Sequence, residues 1–406
     1  MGKKSAGIRI LIYSHDTFGL GHLRRCNAIA QSLVERRKGL SVLILSGSPI
    51  IGSFDFRTRV DFVRVPGVIK LQNGDYSSLN LHMDIGEVVH LRAAIIQHTA
   101  EVFRPDLFLV DKEPLGLRGE IHETLKMLKA AGTPCVLGLR DVMDDPELLA
   151  KEWERKDVVS ALREFYDDIW VYGLPQVCEP LAGLDVPDDV SDKINYTGYI
   201  RRTLSRRRET STASNVMEEP YLLVTAGGGG DGQELMDWVI SAYEADPDIP
   251  HPALVLFGPF MAKESREAFR RRIEALERVQ AITFDSHAEN LMAGAVGVVA
   301  MGGYNTFCEI LSLDKRAVIV PRVRPRREQL MRAASAQELG LIRMVDGETR
   351  DPLRMAAVLR SLPNQPRPSE VVIPGLLDGL DNIHRLVDRW IGARRRSDLD
   401  MAVPGA

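Results

Sequence analysis

The chain predicts an α/β protein made of two doubly wound halves, each a parallel sheet covered by helices on both faces. Three observations carry this. The 406 residues exceed the roughly 100–200 that one domain usually takes. Apolar strand-like runs alternate with helical stretches twice, first over residues 8–200 and again from 221 onward. Between the two alternations, residues 203–219 are polar and without period, which predicts a linker or long exposed loop. The expected domains are 1–202, a linker at 203–219, and 220–378. Residues 379–393 form a terminal helix and 394–406 a disordered tail.

The elements follow in order. Ile8–Tyr13 is an apolar run that predicts a strand, and Leu23–Arg37 a helix with Ala28, Ile29, Leu33 and Val34 on one face. Val42–Ser46 and Asp61–Val65 predict strands, Glu87–Phe103 a long helix, Leu107–Asp111 a strand, Arg118–Ala131 a helix. Cys135–Leu139 and Asp168–Tyr172 close the first set of strands. In the second half, Tyr221–Thr225 predicts a strand that runs into four glycines, Gly227 to Gly230. Gln233–Glu244 and Lys263–Glu277 predict helices. Ala253–Phe257, Ala281–Phe284, Val296–Ala300, Ala317–Val320 and Leu341–Val345 predict strands. Pro352–Leu362 predicts a further helix. In such sheets ligands bind beyond the carboxyl ends of the strands, and two facing halves make a cleft.

Hydrophobic residues are 45% and charged residues 27%, an ordinary mix for a water-soluble chain. A net charge of -4 gives no support to nucleic-acid binding. No run reaches the roughly 18 apolar residues that span a bilayer, and the short first apolar run carries no cleavage signature. Cys26, Cys135, Cys178 and Cys308 are widely spaced, so neither zinc nor a disulfide framework is expected and a reducing cytoplasm is the default.

The most informative motif is Gly302-Gly303-Tyr-Asn-Thr306-Phe-Cys-Glu309. It follows the strand at Val296–Ala300 and opens a helix. A turn of this kind points backbone N–H groups and the positive end of a helix dipole at one spot, which suits a diphosphate. Glu309, a turn further on, is placed to accept hydrogen bonds from a ribose diol. Together these predict a nucleotide-sugar site; the bland alternative is a plain strand–turn–helix junction. The glycines at 227–230 cost much backbone entropy to order, which favours a loop that a ligand approaches. Gly19-Leu-Gly21-His22 ends the first strand's loop and opens the first helix. A histidine there can take a proton from a hydroxyl, or can serve as a cap or anion contact. His15 is expected at the surface of the same loop. Asp111 ends its strand, with Glu113 in the same loop, and Arg140-Asp141 follows the next and is expected to face the cleft. No Asp-x-Asp motif stands in a strand-end loop, and Asp144-Asp145 and Asp188-Asp189 read as structural, so a metal-independent site is expected, with no cofactor.

These residues resemble the GT-B glycosyltransferases of family 28, the group of the peptidoglycan N-acetylglucosaminyltransferase and of monogalactosyldiacylglycerol synthase. The resemblance is strongest over residues 221–345 and weaker over 8–37 and 195–202. It implies two Rossmann-like domains, an acceptor-binding first half and a donor-binding second half. It also implies transfer of a hexosyl group from a nucleotide-diphosphate sugar, a UDP-sugar first of all, with inversion. Gly303, Thr306 and Glu309 match the family's Ser-Gly-x-x-Thr-x-x-Glu, with Gly302 in place of Ser. Gly227 and Gly228 match its Gly-Gly-Ser-x-Gly turn. Gly19, Gly21 and His22 stand on its Gly-rich acceptor loop, and Gly21-His22 match. The resemblance makes His22 the base. Asp111 either orients it, as in related enzymes, or is a cap or loop ion pair. In Asn195-Tyr-Thr197-Gly198-Tyr-Ile-Arg-Arg202, Thr197, Gly198 and Arg202 match the family's Thr-Gly-Asn-Pro-Val-Arg. Tyr199 and Ile200 depart from it. Arg202, or Arg201 beside it, would meet the diphosphate, where a guanidinium can bind two phosphate oxygens. Glu328-Gln329 stand where the family contacts the donor sugar. Phe284-Asp-Ser-His287 match the loop that cradles the base, where Phe284 reads as a packing residue and His287 as a surface one. Arg322, Arg324, Arg326 and Arg327 form a basic loop, either a solvated face or a surface for phosphate or anionic lipid. The terminal helix is expected to pack back on the first domain.

Acceptor and sugar stay open at this point: lipid-linked sugar, polysaccharide and small metabolite all fit. Cell-envelope or polysaccharide synthesis is the expected setting. The location is cytoplasmic or peripheral on the inner face of the cell membrane. The rival readings are a UDP-sugar 2-epimerase of the same architecture, a nucleotide-sugar-binding module without catalysis, and a hydrolase that uses water as acceptor. The epimerases' Gly-Thr-Arg-Pro-Glu start is absent here, where the chain has Ser14-His-Asp-Thr-Phe-Gly.

Overall fold

Continuous apolar runs such as Leu107–Asp111 have no polar alternation, and they fold as strands buried on both faces. A computed structural model describes residues 7–15, 21–70, 75–204, 217, 219–228, 230–285 and 287–401, and shows two units. The first comprises Met1–Leu174, Pro180–Ile200 and Asp378–Ala406, the second Pro175–Glu179 and Arg201–Leu377.

The first unit runs β1 (Ile8–Ser14), α1 (Gly21–Arg36), β2 (Leu40–Ser46), β3 (Val60–Arg64), β4 (Val68–Lys70), β5 (Tyr76–Ser78), α2 (Ile85–Phe103), β6 (Leu107–Asp111) and α3 (His122–Ala130). It continues with β7 (Cys135–Arg140), α4 (Pro146–Arg155), α5 (Val158–Phe165), β8 (Asp168–Tyr172), α6 (Asp188–Ser191) and β9 (Ile194–Tyr196). Its main sheet has the order β3-β2-β1-β6-β7-β8-β9 with every neighbouring pair parallel. Ser14 stands opposite both Ser46 and Asp111. Local chemistry sets the helix starts. Asp84 and Glu87 form a capping box on α2, and Asp145 caps α4 ahead of Pro146.

The second unit runs β10 (Leu222–Thr225), α7 (Gln233–Ala245), β11 (Ala253–Leu256), α8 (Lys263–Ile273), β12 (Val279–Ile282), α9 (Ala288–Gly294), β13 (Gly297–Ala300), α10 (Tyr304–Ser312), β14 (Ala317–Ile319), α11 (Glu328–Glu338), β15 (Arg343–Met344) and α12 (Pro352–Ser361). Its sheet has the order β12-β11-β10-β13-β14-β15, again all parallel. Its core gathers Trp238, Phe257, Val299, Met355 and Leu362 around the strands.

Several expectations change. The helix expected over Arg118–Ala131 starts only at His122, because Gly116, Arg118 and Gly119 take positive φ and cannot begin an α-helix. The hairpin β4–β5 and the helices α4 and α5 were not expected, although α5 carries a helical period of its own, with Val158, Ala161, Leu162 and Phe165 on one buried face. The expected disordered tail is helical as far as Met401, since nothing from Ala393 to Met401 breaks a helix and Pro404 comes later. The terminal helix (Gly379–Met401) bonds to first-unit residues. Asn382 donates to the Thr197 carbonyl, and Arg389 and Trp390 donate to Asp168. Asp168 is 1% exposed and also accepts from Trp170 and Asn195. Most of the expected linker, 205–216 and 218, lies outside the described residues. No helix among the described residues is long and apolar enough to cross a membrane.

Candidate functional site

In each sheet the chain reverses its winding at one pair of strands, β1 and β6 in the first unit, β10 and β13 in the second. The connections leave in opposite directions there and open a crevice at the strands' carboxyl ends. His22 and Asp111 follow or end the first pair, and Gly227, Gly228, Gly302, Gly303, Thr306 and Glu309 follow the second.

In the first unit, α1 opens at Gly21 and carries His22 in its first turn. Asp111 is the last residue of β6. His22 Nδ1 lies 2.5 Å from Asp111 Oδ2. Arg25, one turn along α1, donates through Nε to Asp111 Oδ1 at 2.8 Å and through a terminal nitrogen to Oδ2 at 2.7 Å. Arg25 and Asp111 are each 1% exposed, so the carboxylate is held inside the fold by a two-point fork and by an imidazole. A carboxylate facing Nδ1 assigns the proton to that nitrogen and the lone pair to Nε2. Burial pushes the His22 pKa down, Asp111 opposes this, and Arg25 and Lys112 add to it, leaving it at about 4. Burial alone would raise Asp111, but Arg25 and then His22 bring it to about 2. The imidazole is therefore neutral near pH 7 and the carboxylate charged.

His15 corrects the sequence expectation. It is buried, and its ring meets the His22 ring edge-on at 6.0 Å. Burial holds it neutral well below the usual histidine range. Tyr13 beside it donates to Glu120 at 2.6 Å, and Arg92 forks the same carboxylate. Lys112 follows Asp111 at φ 75 in a three-residue turn closed by Glu113 N–H to the Asp111 carbonyl at 3.0 Å. Glu113 pairs with Lys112 and Lys156. Asp141 also departs from expectation. It is fully buried and accepts from the Tyr199 hydroxyl at 2.8 Å, so it braces the fold instead of facing a ligand. Tyr199 and Ile200, which break the family pattern, are both core residues. Gly19 lies outside the described residues.

In the second unit, the turn after β13 opens α10. Gly302 has φ 80, and a Cβ there would meet Ile319 Cγ2 at 2.7 Å, so both conformation and space require glycine. Gly303 precedes α10, and a Cβ on it would meet nothing within 4 Å. The first N–H groups of α10 have no intrahelical acceptor by helix geometry. Arg202 donates to Asn305 Oδ1 at 2.6 Å in that first turn, and its N–H reaches Ser312 Oγ at 2.9 Å. Arg201 bonds instead to the Leu377 carbonyl. The glycine loop after β10 lies alongside: a Cβ on Gly227 would sit 3.7 Å from Thr306 Oγ1, and the Gly228 carbonyl accepts from Phe260 N–H at 3.0 Å. Thr306 and Glu309 are 8% and 3% exposed. The structure thus collects Arg202, Gly227, Gly228, Gly302, Gly303 and Thr306 around one helix start, with Glu309 a turn beyond.

Glu328 and Gln329 begin α11, both largely buried. Arg322 bridges them to the glycine loop. It donates to Glu328 Oε1 at 2.6 Å, its backbone N–H donates to Gln329 Oε1 at 3.2 Å, and its guanidinium pairs with Asp231. The basic loop is therefore not uniformly a solvated face. Phe284, expected to pack, is 39% exposed two residues beyond β12. His287 is half-buried beside Glu289, and Ser286 and Gly229 lie outside the described residues.

Two residues escaped the sequence reading. Arg25 could have been found, since three positions after His22 is the same helix face. Arg332 carried no signal, because a helix arginine is usually solvated. Here it is 1% exposed, lies over the Tyr304 ring and donates to the Gly302 carbonyl at 3.0 Å, pinning the turn.

Comparison with known proteins bears on the fold and on the second unit. Residues 223–370 match the glycosyltransferase family 28 C-terminal domain. No curated protein matches the chain in sequence. Among solved structures, the chain is similar to the glycotransferase of kitacinnamycin (17% identity, 98% of this chain and 99% of that one, TM-score 0.59). It is also similar to a UGT transferase from Siraitia grosvenorii in complex with UDP (13% identity, 95% and 100%, TM-score 0.60). A third is MurG from Acinetobacter baumannii (12% identity, 94% and 99%, TM-score 0.56). At these identities the structures establish the fold, and the family match in the second unit adds the enzyme class. The second unit thus carries a glycosyltransferase family 28 C-terminal domain, in a chain whose fold is that of the GT-B glycosyltransferases.

Proposed function

We propose that the second unit binds a nucleotide-diphosphate sugar, with UDP as the nucleotide, and that the first unit activates an acceptor hydroxyl for inverting, metal-independent transfer of a hexosyl group. The observation that carries this is the His22–Asp111 contact at 2.5 Å, which leaves a neutral imidazole with Nε2 as its basic nitrogen. The acceptor's O–H proton passes to Nε2 as its oxygen attacks the anomeric carbon from the face opposite the leaving group. The new C–O bond forms as the bond to the diphosphate breaks, and that electron pair leaves on the diphosphate oxygen. The start of α10 and Arg202 stabilise the departing charge, Glu309 accepts from the ribose hydroxyls, and Glu328 and Gln329 hold the sugar. UDP in the Siraitia grosvenorii structure supports the choice of nucleotide. A lipid-linked acceptor, and an anionic membrane surface met by Arg324, Arg326 and Arg327, belong to the same reading, as does a cytoplasmic or inner-face location.

The test is thermal stabilisation by UDP, GDP, dTDP, ADP and CMP, with Glu309→Ala as control. A nucleotide at about 100 times its Kd stabilises by roughly 2.7 kcal/mol, which shifts the midpoint measurably. A UDP-selective shift that the control abolishes is expected. No shift with any nucleotide would sink the donor site. Sugar release to water, or epimerisation without acceptor, would replace transfer by one of the rival reactions on the same site.

A further inference from the structure

We propose that Arg25 is the positioning residue of the first unit's site. By gripping both oxygens of Asp111 it fixes the carboxylate so that one oxygen holds His22 Nδ1–H and the imidazole presents Nε2 as the proton acceptor. This rests on the reading of His22 as the general base.

The geometry is specific to an arginine. Arg25 and His22 project from neighbouring positions of one helix face onto the same carboxylate. The fork at 2.8 and 2.7 Å uses both Asp111 oxygens, so the carboxylate cannot rotate without breaking a charged bond. Lysine, a point charge on a flexible stem, cannot fix that plane. The guanidinium has a built wall as well. Its carbon lies 5.6 Å from the centroid of the Tyr172 ring, and Tyr172 is fully buried. Tyr172 fits only because residue 138 is glycine: a Cβ there would stand 2.1 Å from the phenol oxygen. Strand β7 thus gives up a side chain to admit the ring on which Arg25 lies.

The fork also has an electrostatic consequence. A lone carboxylate beside an imidazole favours the imidazolium, which has no lone pair left for a substrate proton. Arg25 brings a terminal nitrogen within 3.1 Å of His22 Nδ1, and both are donors there, so it opposes that protonation. The remaining groups that face His22 are Lys112, from the turn after β6, and the neutral His15, from the end of β1. Glu113 faces His15. Arg25 and Asp111 cancel as charges, and His22 rests against a neutral pair.

The test is histidine-ring NMR on the full chain, read as tautomer and titration midpoint, with the His22 signal among nine histidines identified by its loss in His22→Gln. Wild-type His22 is expected to carry its proton on Nδ1 and stay neutral down to about pH 4. In Arg25→Met the midpoint rises by about one unit or more, since Asp111 is left uncompensated. Transfer activity falls by about 10²-fold, and the acid limb of its pH profile moves up with the midpoint. Arg25→Lys retains the charge and folds more readily. It is expected to keep the midpoint low, mix the tautomers and lose activity. An unchanged midpoint and tautomer in Arg25→Met overturns the proposal. Wild-type tautomer and activity in Arg25→Lys does the same, and decides the matter if Arg25→Met does not fold. Full activity in His22→Gln would remove His22 as base, while the NMR result would still decide the coupling of Arg25 to His22.

Discussion

Acidification should weaken the first unit through His22, by an amount that His22→Gln removes. The folded-state pKa of about 4 lies below the ordinary 6.5, so the unfolded chain binds the proton more readily. Stability is then complete above about 6.5 and is lost as pH falls toward 4. At about pH 5 one such group costs about 2 kcal/mol relative to about pH 7.5. His384 adds a second loss of the same sign. Its pKa is also about 4, because burial and then Arg37, which donates to its Nδ1 at 2.5 Å, disfavour the charged ring. That loss, and a further one of the same sign from the buried His15, are common to wild type and variant, so their difference isolates His22. Asp111 does not confuse the comparison. Its folded value of about 2 lies below its ordinary 3.8, so its contribution is intact at pH 5 and is lost only nearer pH 2. Urea unfolding followed by far-UV circular dichroism at the two pH values is the assay. At a slope of about 2 kcal/mol per molar, the wild-type midpoint should fall about 1 M further than that of His22→Gln. Equal losses in the two proteins would refute the assignment of a buried, neutral His22.

Two other outcomes follow from particular contacts. Gly302→Ala should cost about 1–3 kcal/mol of second-unit stability, from the positive φ and the contact with Ile319, and should abolish UDP-dependent stabilisation. A variant that still binds UDP like wild type, by calorimetry, would show that the turn is not at the donor site. Asp168→Ala removes the acceptor shared by Trp170, Asn195, Arg389 and Trp390 and should cost about 2–4 kcal/mol. Limited proteolysis should then cut the terminal helix much faster, and an unchanged digestion pattern would mean that Asp168 does not hold it.

Much of the fold was legible in the chain because parallel strands buried on both faces are written as continuous apolar runs, and helices between them as periodic ones. Val296–Ala300 running into Gly302-Gly303 needed no tertiary information to be read as a strand, a turn and a helix start. The helix after Leu117 was misplaced because the positive φ at Arg118 leaves no mark in residue type. The terminal helix was cut short because a charged run such as Arg394 to Asp400 looks the same whether it is helical or disordered.

The site divides along the same line. Local sequence determined the elements that carry it: a glycine-framed histidine at the head of α1, an aspartate closing β6, a glycine turn opening α10. Only the tertiary structure decided what those side chains meet. Burial made His15 a neighbour of His22 where the loop alone suggested a surface residue, and turned Asp141 into a brace for Tyr199. The fork from Arg25 to Asp111 joins positions 86 residues apart. The Arg332 bond to the Gly302 carbonyl spans 30. Such contacts depend on sheet order and on the space left by a glycine in a neighbouring strand, quantities that arise only when distant segments pack and exclude water. The sequence therefore determined the chemical groups and the ends of the strands where they stand, and the packing decided their partners and, through desolvation and paired charge, their protonation.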